Sequence, residues 1–238
     1  MLKAVLTDID GTITDSSRRI NTGAINTIRS LVDDGIEVVL ASGNTSCFMD
    51  ALCKMIGTHG TFIAENGGVF RVGFNGTPRI KGDQGVCRTA LEVLQAHYHS
   101  QGTELDLYSP TYRYADLAFG RTVPVGEVKM LLKDYPVKVL DTGYAIHLQS
   151  RGVDKGTALI ALAEEMGLLP SDFLAVGDSL NDIQMLATAG IGATVANGHR
   201  DIKATAKYVA EKEYGDGFVE VIEKYASYLR AAKRSTTI

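Results

Sequence analysis

Residues 4–14 read Ala4-Val5-Leu6-Thr7-Asp8-Ile9-Asp10-Gly11-Thr12-Ile13-Thr14. The first part is an apolar, β-branched run, which predicts a buried strand over 4–9. It ends in two carboxylates and a glycine that lets the chain turn sharply. Ligands bind at the carboxyl ends of strands in a parallel sheet. Two carboxylates there suit two jobs. One can attack phosphorus and hold a metal, while the other protonates a leaving oxygen and then deprotonates water. Taken alone, the motif reads better as an Asx turn closing a strand.

The flanking pattern supplies the parallel sheet. Residues 22–34 put Ile25, Ile28, Leu31 and Val32 on one helical face and stop at Gly35. An apolar run follows at 36–41, then a helix over 45–56 stopping at Gly57, then a strand at 61–64. Strand–helix alternation predicts a parallel sheet covered on both faces. After about Gly82 the order becomes helix 87–99, strands 103–108 and 112–119, helix 124–134, and strands 136–141 and 143–149. Such short links pair strands antiparallel. From Asp154, as N-cap of a helix over 154–166, the first pattern resumes, with strands at 173–176 and 191–195 and a last helix near Gly217. The expectation is a Rossmann-like α/β core made of 1–82 and 153–238, with an α+β domain inserted at 83–152. Glycines at 82–85 and Gly152 are the expected hinges.

Three further clusters fall at the edges of these elements. Ser42-Gly43-Asn44 ends the 36–41 strand, where a hydroxyl and backbone N–H groups can hold phosphate oxygens. The plain alternative is a helix cap by Ser42 or Asn44. Lys155 sits in the first turn of its helix, against the macrodipole, which makes sense beside an anion. The alternative is a solvated lysine. Asp178 and Asp182, in Gly177-Asp178-Ser179-Leu180-Asn181-Asp182, are one helical turn apart and suit magnesium. Capping explains them equally well. Together, four carboxylates on one sheet edge would repel at high cost without a divalent cation.

The 238-residue chain is 45% hydrophobic and 22% charged, enough for a real core and unlike a disordered chain. A net charge of −4 argues against a nucleic-acid binder held by a general basic surface. Three cysteines, none in a C-x-x-C pair, argue against a disulfide framework or zinc site and fit a reducing cytoplasm. No apolar run approaches the ~18 residues of a membrane helix, so a soluble cytoplasmic protein is expected.

The four clusters, in this order, resemble the haloacid dehalogenase superfamily of phosphohydrolases, and the insertion is similar in place and pattern to its large αββ-repeat cap. The resemblance implies that Asp8 is a nucleophile forming an aspartyl phosphate and Asp10 the general acid/base. It implies that Ser42, with Gly43 and Asn44, and Lys155 bind the phosphoryl group. Magnesium would be held by Asp8, the Asp10 carbonyl and Asp178, with Asp182 a ligand or an anchor behind them. Leu40-Ala41-Ser42-Gly43-Asn44 and residues 143–156 are similar to the archaeal-type phosphoglycolate phosphatases. That implies a small phosphorylated acid as substrate, whose carboxylate needs a cation. Arg113, Arg121 and His147 are the cap candidates, each otherwise a group on a solvated sheet face. Tyr108, Tyr112, Tyr114 and Tyr144 are expected to pack the cap. The rivals are a sugar phosphatase or phosphomutase of the same superfamily, a phospho-accepting receiver-type domain, and a non-catalytic binding relative. The Asp8–Asp10 pair and the insertion argue against a receiver.

Overall fold

The computed structural model describes residues 1–230. The first stretch forms β1 (Ala4–Asp8), α1 (Thr22–Asp33), β2 (Glu37–Ala41), α2 (Ser46–Ile56) and β3 (Phe62–Ala64). Two short strands, β4 (Val69–Arg71) and β5 (Arg79–Ile80), follow. Then come α3 (Gln84–His99), β6 (Asp116–Gly120), α4 (Val125–Leu131), β7 (Val137–Asp141) and β8 (Ala145–Ser150). The chain continues as α5 (Lys155–Glu165), β9 (Phe173–Gly177), α6 (Ile183–Thr188), β10 (Ile191–Thr194), α7 (Arg200–Thr205), β11 (Tyr208–Val209) and α8 (Tyr214–Tyr225).

Eight strands make one sheet in the order β11-β10-β9-β1-β2-β3-β4-β5. It is parallel from β11 to β3, and β4 and β5 add an antiparallel margin that the periodicity did not signal. Strands buried on both faces read as continuous apolar runs. Val5, Val38 and Val176 pack toward Ile28, Leu52 and Phe218 on one side. Leu6, Val39 and Ala175 pack toward Leu159, Leu162 and Met185 on the other. Each of these side chains larger than alanine contributes about 1.5–3 kcal/mol by leaving water. Asp8 pairs with Ala41 and Thr7 with Val176, so the three chain ends that carry Asp8, Ser42 and Asp178 finish together on one rim.

The local signals hold at most ends. Gly57 closes α2 at φ 101°, in the left-handed region where glycine carries no Cβ penalty. Asp154 caps α5 reciprocally with Thr157. Helix α3 starts earlier than the periodicity suggests because Asp83 accepts the Gly85 N–H as its cap. Helix α8 likewise starts at Tyr214 rather than Gly217. Among the described residues no helix is long and apolar enough to cross a membrane.

Residues 84–150 hold a three-stranded antiparallel sheet, ordered β6-β8-β7. Phe119, Ile146 and Leu148 face Leu94 and Val128 on its helical side. The strand expected over 103–108 is not formed. It is reduced to one bridge, Leu107 to Phe119, because Ser109 turns left-handed at φ 51° and Pro110 starts a short turn. For the same reason the strand expected at 112–119 begins only at Asp116.

Candidate active site

Asp8 is the last residue of β1 and 5% exposed. Its Oδ1 accepts from Lys155 Nζ at 2.5 Å, and the same ammonium donates to Asp182 Oδ1 at 2.6 Å. Lys155 is fully buried, so the alternative of a solvated lysine fails. Its first-turn position aims it at the rim, where two carboxylates outweigh the macrodipole. Burial alone would lower its pKa, but Asp182 and then Asp8 more than offset that and hold it charged.

Asp182 is fully buried and anchors its own loop. Its Oδ2 accepts from the Asp178 and Ser179 N–H groups, both at 3.1 Å, and so shapes the loop that presents Asp178. Asp178 Oδ1 accepts from the Thr12 hydroxyl at 3.1 Å. Thr12 is a positioning residue that reasoning from sequence passed over, although it stands beside the acidic pair. One oxygen each from Asp8, Asp178 and Asp182 lies within 4.8 Å of the others. Asp10 is outside that cluster, exposed, with Asn44 Nδ2 3.4 Å from its Oδ2.

The cluster is electrostatically incomplete. Burial, and then the Asp182 charge, push Asp8 well above the carboxylate range despite Lys155. The same two causes push Asp178 up to about 7. A hard, oxygen-preferring cation fits this donor set, since it would replace protons with a charge that carboxylates hold well. The triad is able to hold a metal ion.

Ser42 is 2% exposed, and its Oγ accepts from the Asn44 N–H at 3.1 Å and the Asn44 amide at 2.9 Å. It does not cap α2. Thr45 occupies that position and makes no side-chain cap bond. The Ser42–Asn44 loop is thus held from within, beside Asp8.

A cavity of about 770 Å³ opens over these groups, with Asp8, Asp10, Ser42 and Asp178 in its floor and Tyr108, Arg113, Tyr144 and His147 in its far wall. Arg113 and His147 are not on a solvated face; they are 7% and 4% exposed. The polar face of the small sheet is covered by the turn that follows β3, at Glu65 and Asn66. Asp116 Oδ1 accepts from Arg113 Nη1 at 2.6 Å, and Asp116 Oδ2 lies 2.8 Å from His147 Nδ1. Burial alone would raise the Asp116 pKa, but His147 and then Arg113 outweigh it and hold it below the usual range. Arg113 also donates to the Gly43 carbonyl at 3.2 Å, touching the Ser42–Asn44 loop. Arg121 is elsewhere, half-exposed and paired with Asp141 at 3.0 Å. Of the four tyrosines, Tyr112, Tyr114 and Tyr144 are all more than half exposed, so they do not pack the interior beside the small sheet.

One structural centre left no trace in the periodicity. Glu65 and Asn66 follow β3 in left-handed conformations, φ 50° and 53°, and Gly67 continues at φ 99°. Glu65 is fully buried and accepts the Ala115 and Asp116 N–H groups at 2.8 and 3.1 Å, with Tyr114 N–H at 3.0 Å. Burial, then the Asp116 charge, push Glu65 up to about 7. Asn66 lies 3.2 Å from His147 Nδ1 and accepts from Asn181 at 3.0 Å. These contacts tie the small sheet to the rim of the large one.

A model of the haloacid dehalogenase-like hydrolases matches residues 5–99 and 129–222. The chain belongs to that family. This hydrolase is 61% identical over 231 residues to a phosphoglycolate phosphatase of Methanoculleus marisnigri, covering 96% of this chain and 99% of the relative. A phosphoglycolate phosphatase of Methanospirillum hungatei is 49% identical, covering 97% and 100%. A solved structure from Thermoplasma acidophilum superposes on the hydrolase with a TM-score of 0.84 at 30% identity, covering 95% and 99% of the two chains.

Proposed function

We propose that this hydrolase cleaves 2-phosphoglycolate to glycolate and phosphate through an aspartyl phosphate on Asp8. The reading is carried by the full-length likeness to the Methanoculleus marisnigri phosphatase. It is supported by one cavity that collects Asp8, Asp10, Ser42 and Asp178. Asp8 Oδ2 has no hydrogen bond among the described residues and is the oxygen for attack on phosphorus, while Lys155 fixes Oδ1. Asp10, exposed to the cavity, protonates the departing glycolate oxygen. It then takes a proton from the water that attacks the phosphoryl-Asp8, and phosphate leaves. Ser42, the Gly43 and Asn44 N–H groups and Lys155 hold the phosphoryl oxygens, because positioning and charge neutralisation supply most of such catalysis.

The residues assigned to magnesium are Asp8, the Asp10 carbonyl and Asp178, with Asp182 behind them. When bound, the ion keeps Asp8 ionised and balances phosphoryl charge. Residues 83–152 are the cap over a core of 1–82 and 153–238, and Arg113 and His147 form the cap wall that confines the substrate. His147 has Nε2 left for a ligand, since Asp116 and Asn66 approach its Nδ1. A cytoplasmic location fits the reduced cysteines, and glycolate is the alcohol released.

The test is phosphate release with added magnesium, comparing 2-phosphoglycolate with sugar phosphates. The expected result is at least about a tenfold preference in kcat/KM for phosphoglycolate. In Asp8→Asn, turnover drops roughly 10⁴-fold or more while the circular dichroism stays native. Equal turnover of sugar phosphates overturns the substrate, and an active Asp8→Asn overturns the nucleophile.

A further inference from the structure

The cations around the cavity differ in how far their charge is already balanced. Lys155 is bonded to Asp8 and Asp182. Arg113 is bonded to Asp116, with both side chains almost fully buried. Outside the cavity lining, Arg121 pairs with Asp141 and Arg19 with Asp15. Arg18 lines the cavity, is exposed, and has no carboxylate within ion-pair distance among the described residues.

The loop that carries Arg18 is built to hold it there. Thr14 and Ile20 bridge at the loop's base. Asp15 accepts the Ser17 and Arg19 N–H groups at 2.8 and 3.0 Å, and the Asp15 carbonyl accepts from Arg18 N–H at 3.0 Å. Arg18 itself is left-handed at φ 63°, a strained backbone for a residue with a long side chain. Its guanidinium lies 4.2 Å from the centre of the Tyr144 ring. Tyr144 belongs to the turn between β7 and β8, and its ring centre is 5.6 Å from that of Tyr108. An arginine of the large-sheet side thus lies over Tyr144 of the small-sheet side, and both line the cavity.

We propose that Arg18, and not an arginine of the cap, recognises the carboxylate of the substrate, with the Tyr144 face setting the plane of its guanidinium. This rests on the phosphoglycolate reading above. A planar guanidinium matches a carboxylate in a two-point contact. Stacking on Tyr144 leaves the edge nitrogens available for that contact. Arg113 does not serve, because Asp116 already neutralises it. Arg113 instead positions the Gly43 carbonyl and the Tyr108 segment, whose carbonyl its Nε reaches at 3.0 Å.

The experiment compares kcat/KM for 2-phosphoglycolate and for ethyl phosphate, which carries a methyl group in place of the carboxylate. It uses the wild type, Arg18→Asn, Arg18→Lys and Tyr144→Ala. Asparagine tolerates the left-handed backbone, so the loop is kept. The expected result is a wild-type preference for phosphoglycolate that falls roughly 10- to 100-fold in Arg18→Asn, mostly through KM. Arg18→Lys retains part of the preference, and Tyr144→Ala loses a smaller part. A wild type without preference overturns the substrate reading and this inference with it. A wild-type preference that survives in Arg18→Asn overturns this inference alone. So does an equal fall for both substrates in that variant, since a merely structural role has that signature.

Discussion

Replacing Glu65 with glutamine isolates the charge of a buried carboxylate that holds the two sheets together. Glu65 is fully buried, and burial with the neighbouring Asp116 charge moves it from 4.5 to about 7. A carboxyl that binds its proton more tightly when folded stabilises the fold most below its unfolded value and loses that contribution as pH rises. For Glu65 the loss runs from about pH 4.5 to about pH 7, at up to about 1.4 kcal/mol per pH unit. The total is therefore up to about 3 kcal/mol. Glutamine resembles the protonated acid in shape and hydrogen bonding and does not titrate. Urea unfolding of wild type and Glu65→Gln at several values from pH 5 to 8 reads the difference directly, and the acids remote from Glu65 cancel in it. The variant gains on the wild type as pH rises, approaching a plateau above pH 7. A stability difference constant to within about 0.5 kcal/mol across the range refutes the argument.

Lys155→Met leaves Asp8 and Asp182 buried without their shared cation, and should cost roughly 3–5 kcal/mol of stability, seen as a lower urea midpoint. A loss under about 1 kcal/mol would mean that the ammonium is not what balances these acids. Without a divalent ion, stability near pH 7–8 should be lower than near pH 5, because Asp178 is pushed up to about 7 and must be ionised there. Added magnesium should raise the Tm at pH 8 in proportion to the logarithm of its concentration, more than at pH 5, and chelation should reverse it. An identical magnesium shift at both pH values would place the ion away from this triad.

The parts of the site that could be read from sequence share one property. They are polar residues standing at the end of an apolar run, where the core periodicity stops abruptly. Asp8, Ser42 and Asp178 are of this kind, and the parallel register alone brings them to one rim. Lys155 was visible because its place on α5 opposes the helix field. His147 was ambiguous for a physical reason. A period of two separates the faces of a strand but does not say whether the polar face meets water or another sheet, and here it meets the loop at Glu65–Asn66. That loop was invisible because left-handed residues other than glycine follow no periodic rule. Arg18 was hidden in the same way, one charge in a polar loop. The segment 103–108 has strand-like composition, but Ser109 and Pro110 end its pairing after a single bridge.

The neighbours of β1 have a consequence for synthesis. Its partner on one side, β2, emerges soon after it, but the partner on the other, β9, pairs Phe173 with Ala4. At ribosomal speeds the nascent chain waits on the order of ten seconds or more between the two. During that time the strand that ends in Asp8 has one bare, strongly apolar edge, an invitation to pair with another chain. Chaperone demand and aggregation should therefore track the arrival of the C-terminal third, and a stalled or truncated product should be far less manageable for the cell than its length suggests.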